Sequence, residues 1–373
     1  MYIHEQPDWP AFTWGEAQLA DLLAEVRFRQ GRLIGQMESL GFRLRQEAVL
    51  ETLTADVLKS SEIEGELLDA GQVRSSLARR LGMDIGGLQP ADRNVEGIVE
   101  MMLDATCHFD RPLTEERLFA WHASMFPGGR SGMARIRVGV WRDDRSGPMQ
   151  VVSGPIGHER VHYEAPAASR LGREMGVFLG WFNGVSEMDG VLKAALAHLW
   201  FVTIHPFDDG NGRIARTIAD MELACSEGSP QRFYSMSAQI RKERNAYYDV
   251  LEHTQKSTLD VTAWMRWFVE CLGRAVEDAG ATLATVLFKA RFWKRFVAVP
   301  LNERQHRVLN RLLDGFEGKL TTTKYAKLTK SSQDTALRDI TTLVDQGLLV
   351  RNPEGGRSTS YALAELTDDE GGA

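Results

Sequence analysis

The stretch that most limits the folds open to this chain is residues 189–204, DGVLKAALAHLWFVTI, followed at once by HPFDDGNGRIAR. The first part is apolar nearly all round at helical spacing, the pattern of a helix buried in the middle of a domain. Its last residue, His205, enters a loop because Pro206 forces the chain out of helical geometry. Asp208 and Asp209 then precede Gly210-Asn211-Gly212, and a second helix begins, RIARTIADMELAC. A mostly α body with one polar loop planted at the end of its central helix is the expected frame.

The loop has a chemistry of its own. Glycines at a helix N-terminus let backbone N–H groups converge on an anion, and the helix dipole favours negative charge there. Arg213 and Arg216 are three apart and lean over one helix face. An imidazole, a carboxylate, a nest of N–H groups and two guanidiniums, all within His205–Arg216, describe a polyphosphate site with a metal and a base. Taken singly, each element has an ordinary alternative: a turn-forming or calcium-like loop, solvated helix charges, a hydrogen-bonded core histidine. Their joint order and spacing are what a mere turn does not supply.

Composition narrows the class. The 373 residues are 43% hydrophobic and 25% charged, values of an ordinary globular protein of two or three domains. No run of eighteen apolar residues is present, so no membrane partner is expected. The start, MYIHEQPDWPAFTW, does not read as a signal peptide. Cys107, Cys225 and Cys271 lie far apart without CxxC spacing, which fits reduced thiols and a cytoplasmic location. A net charge of -7 argues against a surface devoted wholly to nucleic acid.

The segment His205–Arg216 resembles the signature of the Fic family, His-Pro-Phe-x-(Asp/Glu)-Gly-Asn-Gly-Arg-x-x-Arg, without a departure. The resemblance covers about residues 94–266 and implies a transfer of AMP from ATP to a Ser, Thr or Tyr hydroxyl of a target protein, with Mg2+. It gives His205 the proton of the attacking hydroxyl and Asp209 the metal. Asn211, Gly212 and Arg213, with the turn at Gly210, are implied to cradle the α- and β-phosphates, and Arg216 to meet the γ-phosphate. A hydroxyl is a poor nucleophile near neutral pH, so a positioned base matters, by about 10²–10⁴-fold. No P-loop lysine pattern and no kinase motif set is present.

Three further segments fit the same resemblance. In RKERNAYYDVLE, residues 241–252, Tyr247 and Tyr248 are candidates for the adenine pocket, with Asn245 behind them; plain helix packing is the alternative. A hairpin or flap at Met149–Val161 is where Fic enzymes hold the target as an added strand. KSSEIEGE contains Ser60-x-x-x-Glu64-Gly65, similar to the inhibitory motif whose glutamate pairs with the second signature arginine. His198 is expected to be a hydrogen-bonded core residue.

Periodicity places helices at 14–40, 43–59, 67–81, 94–105, 115–125, 169–182 and 189–204, and short β-prone runs in RIRVGVWR, MQVVSG and RVHYEAP. After Pro300, three helices and two strands suggest a winged helix-turn-helix. Residues 301–363 hold ten Lys/Arg against seven Asp/Glu, a balance of +3; DNA is a candidate partner through Lys324, Lys327, Lys330 and Arg357, and a module used only for protein contacts is the equal alternative. The expected organisation is a helical region with the inhibitory segment (1–92), a Fic core (93–299) and a winged helix (300–373). Adenylylation restrained by Glu64 is the expected function. Removal of AMP, transfer of another nucleotide, and a DNA-binding regulator with a vestigial core are its rivals, and the oligomeric state stays open.

Overall fold

Apolar residues recurring every three or four positions build three successive helices at the start of the chain: α1 (Glu16–Glu38), α2 (Phe42–Ile63) and α3 (Ala70–Arg80), as seen in the computed structural model. The structure describes all residues except 84–88, 146, 156–157, 159, 314–315, 317, 354–358 and 365–373. It divides into two units, Met1–Ala279 and Gly280–Ala373. The second helix runs past its expected end at Lys59. Ser60, Ser61 and Glu62 break the apolar period, yet Lys59 pairs with Glu62 at 2.7 Å and Ile63 is fully buried, which carries the helix on to the cap residue Glu64. The third helix begins later than its expected start at Leu67. Asp69 caps it through Gln72 N–H at 2.8 Å, leaving Leu67 outside and 83% exposed.

Two capped helices follow, α4 (Arg93–Cys107) behind Asp92 and α5 (Glu115–Met125) behind Thr114. Then come two short ribbons: β1 (Arg130–Ser131) with β2 (Ala134–Arg135), and β3 (Gln150–Ser153) with β4 (Arg160–Glu164), both antiparallel. The run RIRVGVWR is not a strand beyond Arg135. Its N–H groups go elsewhere: Arg137 to Asp208 Oδ2 at 2.7 Å, Gly139 to His122 Nδ1 at 3.1 Å, and Arg142 to Pro206 O at 2.9 Å. The β-like alternation there clamps the loop after the central helix instead of joining a sheet.

That helix is α7 (Gly190–Ile204), which follows α6 (Leu171–Asn183) and packs along α8 (Asn211–Glu227). From Ala194 to Ile204 every residue of α7 is buried, as all-round apolarity requires. The first unit then continues through α9 (Met236–Lys242), α10 (Arg244–Gln255) and α11 (Thr262–Arg295), within which the division between the units falls.

The second unit contains α12 (Glu303–Leu313), β5 (Leu320–Thr321), α13 (Thr322–Thr329), α14 (Gln333–Asp345), β6 (Leu349–Arg351) and β7 (Ser360–Leu363). Its strands form an antiparallel sheet in the order β5-β7-β6. Ser332 caps α14 through Thr335 N–H, and Asp339 of that helix turns inward onto Arg304 at 2.8 Å. Arg357 lies outside the described residues.

Close approach of α4 and α5 depends on a glycine. A Cβ on Gly97 would lie 1.7 Å from the carbonyl oxygen of Ser124, a backbone atom that cannot swing aside. Gly97→Ala should therefore destabilise the protein by about 1–3 kcal/mol in denaturant unfolding. Gly176→Ala, in α6 with nothing within 4 Å of the added carbon, should raise stability by up to about 1 kcal/mol.

Candidate active site

His205 caps α7 in the left-handed conformation, φ 51° and ψ 58°, one of two non-glycine residues with positive φ among the described residues. Several bonds hold it in this uncommon geometry. Its N–H donates to Phe201 O at 3.0 Å, and buried Arg142 donates through Nε to His205 O at 2.8 Å. Arg142 is itself fixed on Pro166 O at 2.5 Å and Asp144 at 3.0 Å. The His205 ring places Nδ1 3.1 Å from Val202 O, an atom that only accepts, so Nδ1 carries the proton and Nε2 is left as an acceptor. Burial pushes the His205 pKa down to about 4, helped by the Arg142 charge and opposed by the hydrogen bond to Val202, Glu64 and Asp209. The ring is a neutral base at physiological pH.

The loop from 206 to 210 is held as tightly. Phe207 is fully buried and stacks on His122, with ring centroids 4.2 Å apart at 7°. Asn211 spans the loop, accepting from Phe207 N–H at 2.9 Å and donating to Phe207 O at 2.8 Å. Its side chain thus shapes the loop, while the N–H groups of Asn211, Gly212 and Arg213 precede the first intrahelical bond of α8, from Ile214 N to Gly210 O at 3.0 Å. Gly210 sits at φ 80°, and a Cβ there would press on Met125 and Phe126 at 2.9 and 3.0 Å. Asp209 accepts from Gly210 N–H at 2.6 Å and from the Ser131 hydroxyl. His122 receives Gly139 N–H on Nδ1, so its Nε2–H donates to Asp209 O at 3.2 Å.

Both signature arginines are buried; Arg216 meets the end of α2 and Arg213 meets Glu66 in the turn just after it. Arg216, 3% exposed, donates Nε to Ser60 Oγ at 3.0 Å and NH2 to Ser60 O and Glu64 Oε1 at 2.9 and 2.8 Å. Burial works against its charge, yet Glu64 and Tyr247 hold its pKa above the usual arginine value. Arg213, 4% exposed, meets Glu66 Oε2 at 2.5 Å and lies over the Phe126 ring. Gly65 makes the turn between the two acids at φ 86°. Gly212 is equally constrained, since a Cβ there would fall 2.2 Å from Glu64 Oε1. Asp209, Arg213, Glu64, Glu66 and Ser131 line one cavity of about 630 Å³.

The tyrosines are placed differently from each other. Tyr247 is buried, with its hydroxyl 2.9 Å from Nε2 of the buried His198. Tyr248 is half-buried and donates to Ile63 O at 3.3 Å, beside Glu64. Asn245 is exposed. Sequence reasoning missed Glu66, Ser131, His122 and Arg142. Only Glu66 had a local signal, as a second acid one residue beyond Glu64-Gly65; Ser131, His122 and Arg142 reach the loop from other elements.

The residues suit a nucleoside triphosphate with a hard cation. Arg216 NH1 and Arg213 Nε are buried without a partner, and a Cβ on Gly212 would meet the Glu64 carboxylate. Among the described residues no group of three or more His, Cys, Asp or Glu forms a metal cage. A cation would therefore rest on Asp209, water and substrate oxygens, the usual manner for Mg2+.

Residues 112–223 match the family model described as Fic/DOC family, and residues 2–83 match a domain of unknown function (DUF4172). The chain is 25% identical over 243 residues to the protein adenylyltransferase Fic of Culex quinquefasciatus, covering 62% of this chain and 42% of that protein. It is 24% identical over 276 residues to the Aedes aegypti protein of the same name, covering 70% and 49%. The chain thus spans just under half the length of these curated relatives. Among solved structures, a Fic family protein from Desulfovibrio desulfuricans is similar at TM-score 0.52 and 21% identity, over 96% of this chain and 99% of that one. A Fic domain containing signaling protein from Bacteroides thetaiotaomicron gives 0.50 and 20%, over 68% and 95%. These likenesses agree in fold. No helix among the described residues is long and apolar enough to cross a membrane.

Burial holds His122 and His205 at about 4 and His198 at about 3, below the ordinary histidine value of 6.5. The unfolded chain takes up these protons first, so the stabilising contribution is full above about pH 6.5 and is lost as pH falls toward 4. Imidazole NMR signals of these three residues should keep neutral shifts from pH 8 to pH 5. Titration of His205 near 6.5 would contradict a ring held neutral by its surroundings.

Proposed function

We propose that this chain, a member of the Fic family, transfers AMP from ATP to a hydroxyl side chain of another protein and is restrained by its own Glu64. The observation that carries the reading is the neutral His205 with a bare Nε2, beside a helix start where Asp209, Arg213 and Arg216 converge. Nε2 accepts the proton of the incoming hydroxyl, the oxygen attacks the α-phosphorus, and pyrophosphate leaves. The N–H groups at the start of α8 and the two guanidiniums orient the phosphates and take up their charge. Mg2+ on Asp209 would neutralise phosphate oxygens when bound. Arg142, Asn211 and His122 keep base and loop in register, which matters because about 1 Å of misplacement can lower a rate roughly 10²-fold. The names of the curated relatives support the same chemistry.

Restraint follows from competition for charge. Arg216 holds a carboxylate where a γ-phosphate would seek a guanidinium, and Arg213 holds a second one. With Glu64 in place, a triphosphate meets repulsion and sits with its α-phosphorus turned from in-line attack.

The test uses ATP labelled on the α-phosphate, with lysate proteins as acceptors and Glu64→Gly as the released background. Adding His205→Ala should reduce labelling at least about 10²-fold while ATP affinity stays within a few-fold. Asp209→Ala should lose the Mg2+ dependence. Undiminished labelling by the His205 variant overturns the mechanism.

A further inference from the structure

The β3–β4 ribbon carries a cluster of side chains that AMP transfer does not use. Ser153, the last residue of β3, stands directly opposite Arg160 on β4, and His162 lies two residues further along β4. Opposite residues share a face and side chains alternate, so Ser153, Arg160 and His162 project from one side of the ribbon. Glu252 of α10 meets them there.

The order of the hydrogen bonds is informative. Glu252 Oε2 lies 2.6 Å from His162 Nδ1, and Ser153 Oγ lies 2.6 Å from His162 Nε2. A carboxylate only accepts, so Nδ1 carries the proton, and the neutral ring turns Nε2 to the serine as an acceptor. Oε1 of Glu252 takes Lys256 at 2.7 Å and Arg160 at 3.0 Å, leaving Oε2 to the imidazole. Bonds from Lys256, then His162 and Arg160, hold the Glu252 carboxyl down to about 2, so it stays an acceptor. The His162 and Glu252 side chains are 24% and 20% exposed, whereas Ser153 is open to solvent. Tethering the ribbon to α10 needs only the ion pair of Arg160 with Glu252; it does not call for a serine on the far nitrogen of the imidazole. Hydroxyl, base and orienting carboxylate in this order are what activates a serine.

We propose that Ser153 is an activated nucleophile of a second centre, apart from the signature loop, that takes small carboxylic esters. Its Oγ bonds to the acyl carbon, and its proton passes to His162 Nε2. The ester C–O bond breaks, the departing alcohol takes that proton, and water then releases the acid by the same roles. Glu252 touches no substrate and positions His162. Arg160, across from Ser153 and with 71% of its side chain exposed, has N–H donors beyond the one on Glu252 to offer the oxygen that becomes negative. An exposed serine suits an ester small and reactive enough to need no deep pocket. No step passes through His205 or Asp209.

The test is covalent labelling of the full chain with a fluorophosphonate probe, which marks serines whose hydroxyl is activated, with hydrolysis of p-nitrophenyl acetate followed in parallel. Peptide mass spectrometry should find one phosphonyl group per chain, on Ser153. The unaltered chain should hydrolyse the ester at least about tenfold faster than Ser153→Ala, and His162→Gln should slow labelling at least about 10²-fold. His205→Ala should label at the unaltered rate, which separates this centre from AMP transfer. Absence of label on Ser153 in the unaltered chain overturns the proposal, and that result needs no variant to fold. So does ester hydrolysis equal to that of Ser153→Ala, or labelling undiminished in a His162→Gln protein that melts like the unaltered chain.

Discussion

Two guanidiniums buried at the start of α8 set the terms for what surrounds them. Arg213 and Arg216 cannot lie inside the protein as bare charges, because an unpaired buried ion loses its hydration without return. Partners come from the end of α2 and the turn just after it: Ser60 and Glu64 on Arg216, Glu66 on Arg213. The N-terminal helices are thereby tied to the signature loop by the same groups that suit a polyphosphate. On the proposed function, scaffold and restraint are one set of bonds.

The remainder of the site does not share this exchangeability. His205, Phe207 and Asn211 are locked by backbone partners and stacking, and Arg142 reaches His205, Pro166 and Asp144 together. These positions are fixed by the protein itself, whereas on the proposed function the arginines must change partners before triphosphate can align. Glycines make the close approach feasible: Gly65 turns the acids toward α8, and Gly212 leaves the space they enter. The proposed restraint rests on which anion the two guanidiniums hold.

Much of this was legible in the residues. The all-apolar run before His205 marks a buried central helix, and α7 is buried throughout from Ala194 to Ile204. The Glu64–Arg216 contact, implied by resemblance alone, is present at 2.8 Å. What was not legible has physical reasons. RIRVGVWR alternates like a strand, but alternation does not say whether N–H groups meet a neighbouring strand or, as here, the loop at 206–208. Glu66 meets an arginine 147 residues away, and no local period carries such a pairing. Adjacent Tyr247 and Tyr248 point to different sides of α10, one enclosed against His198 and one beside the end of α2. Spacing could not rank them.

The most direct measurement of the central claim is the ratio of AMP transfer by Glu64→Gly to that of the unaltered chain, at saturating ATP and Mg2+, with and without Arg216→Ala. If Glu64 competes with the γ-phosphate for Arg216, the ratio is at least about tenfold, and adding Arg216→Ala removes most of the gain. A ratio within about twofold, as for a solvated surface residue, would contradict the account.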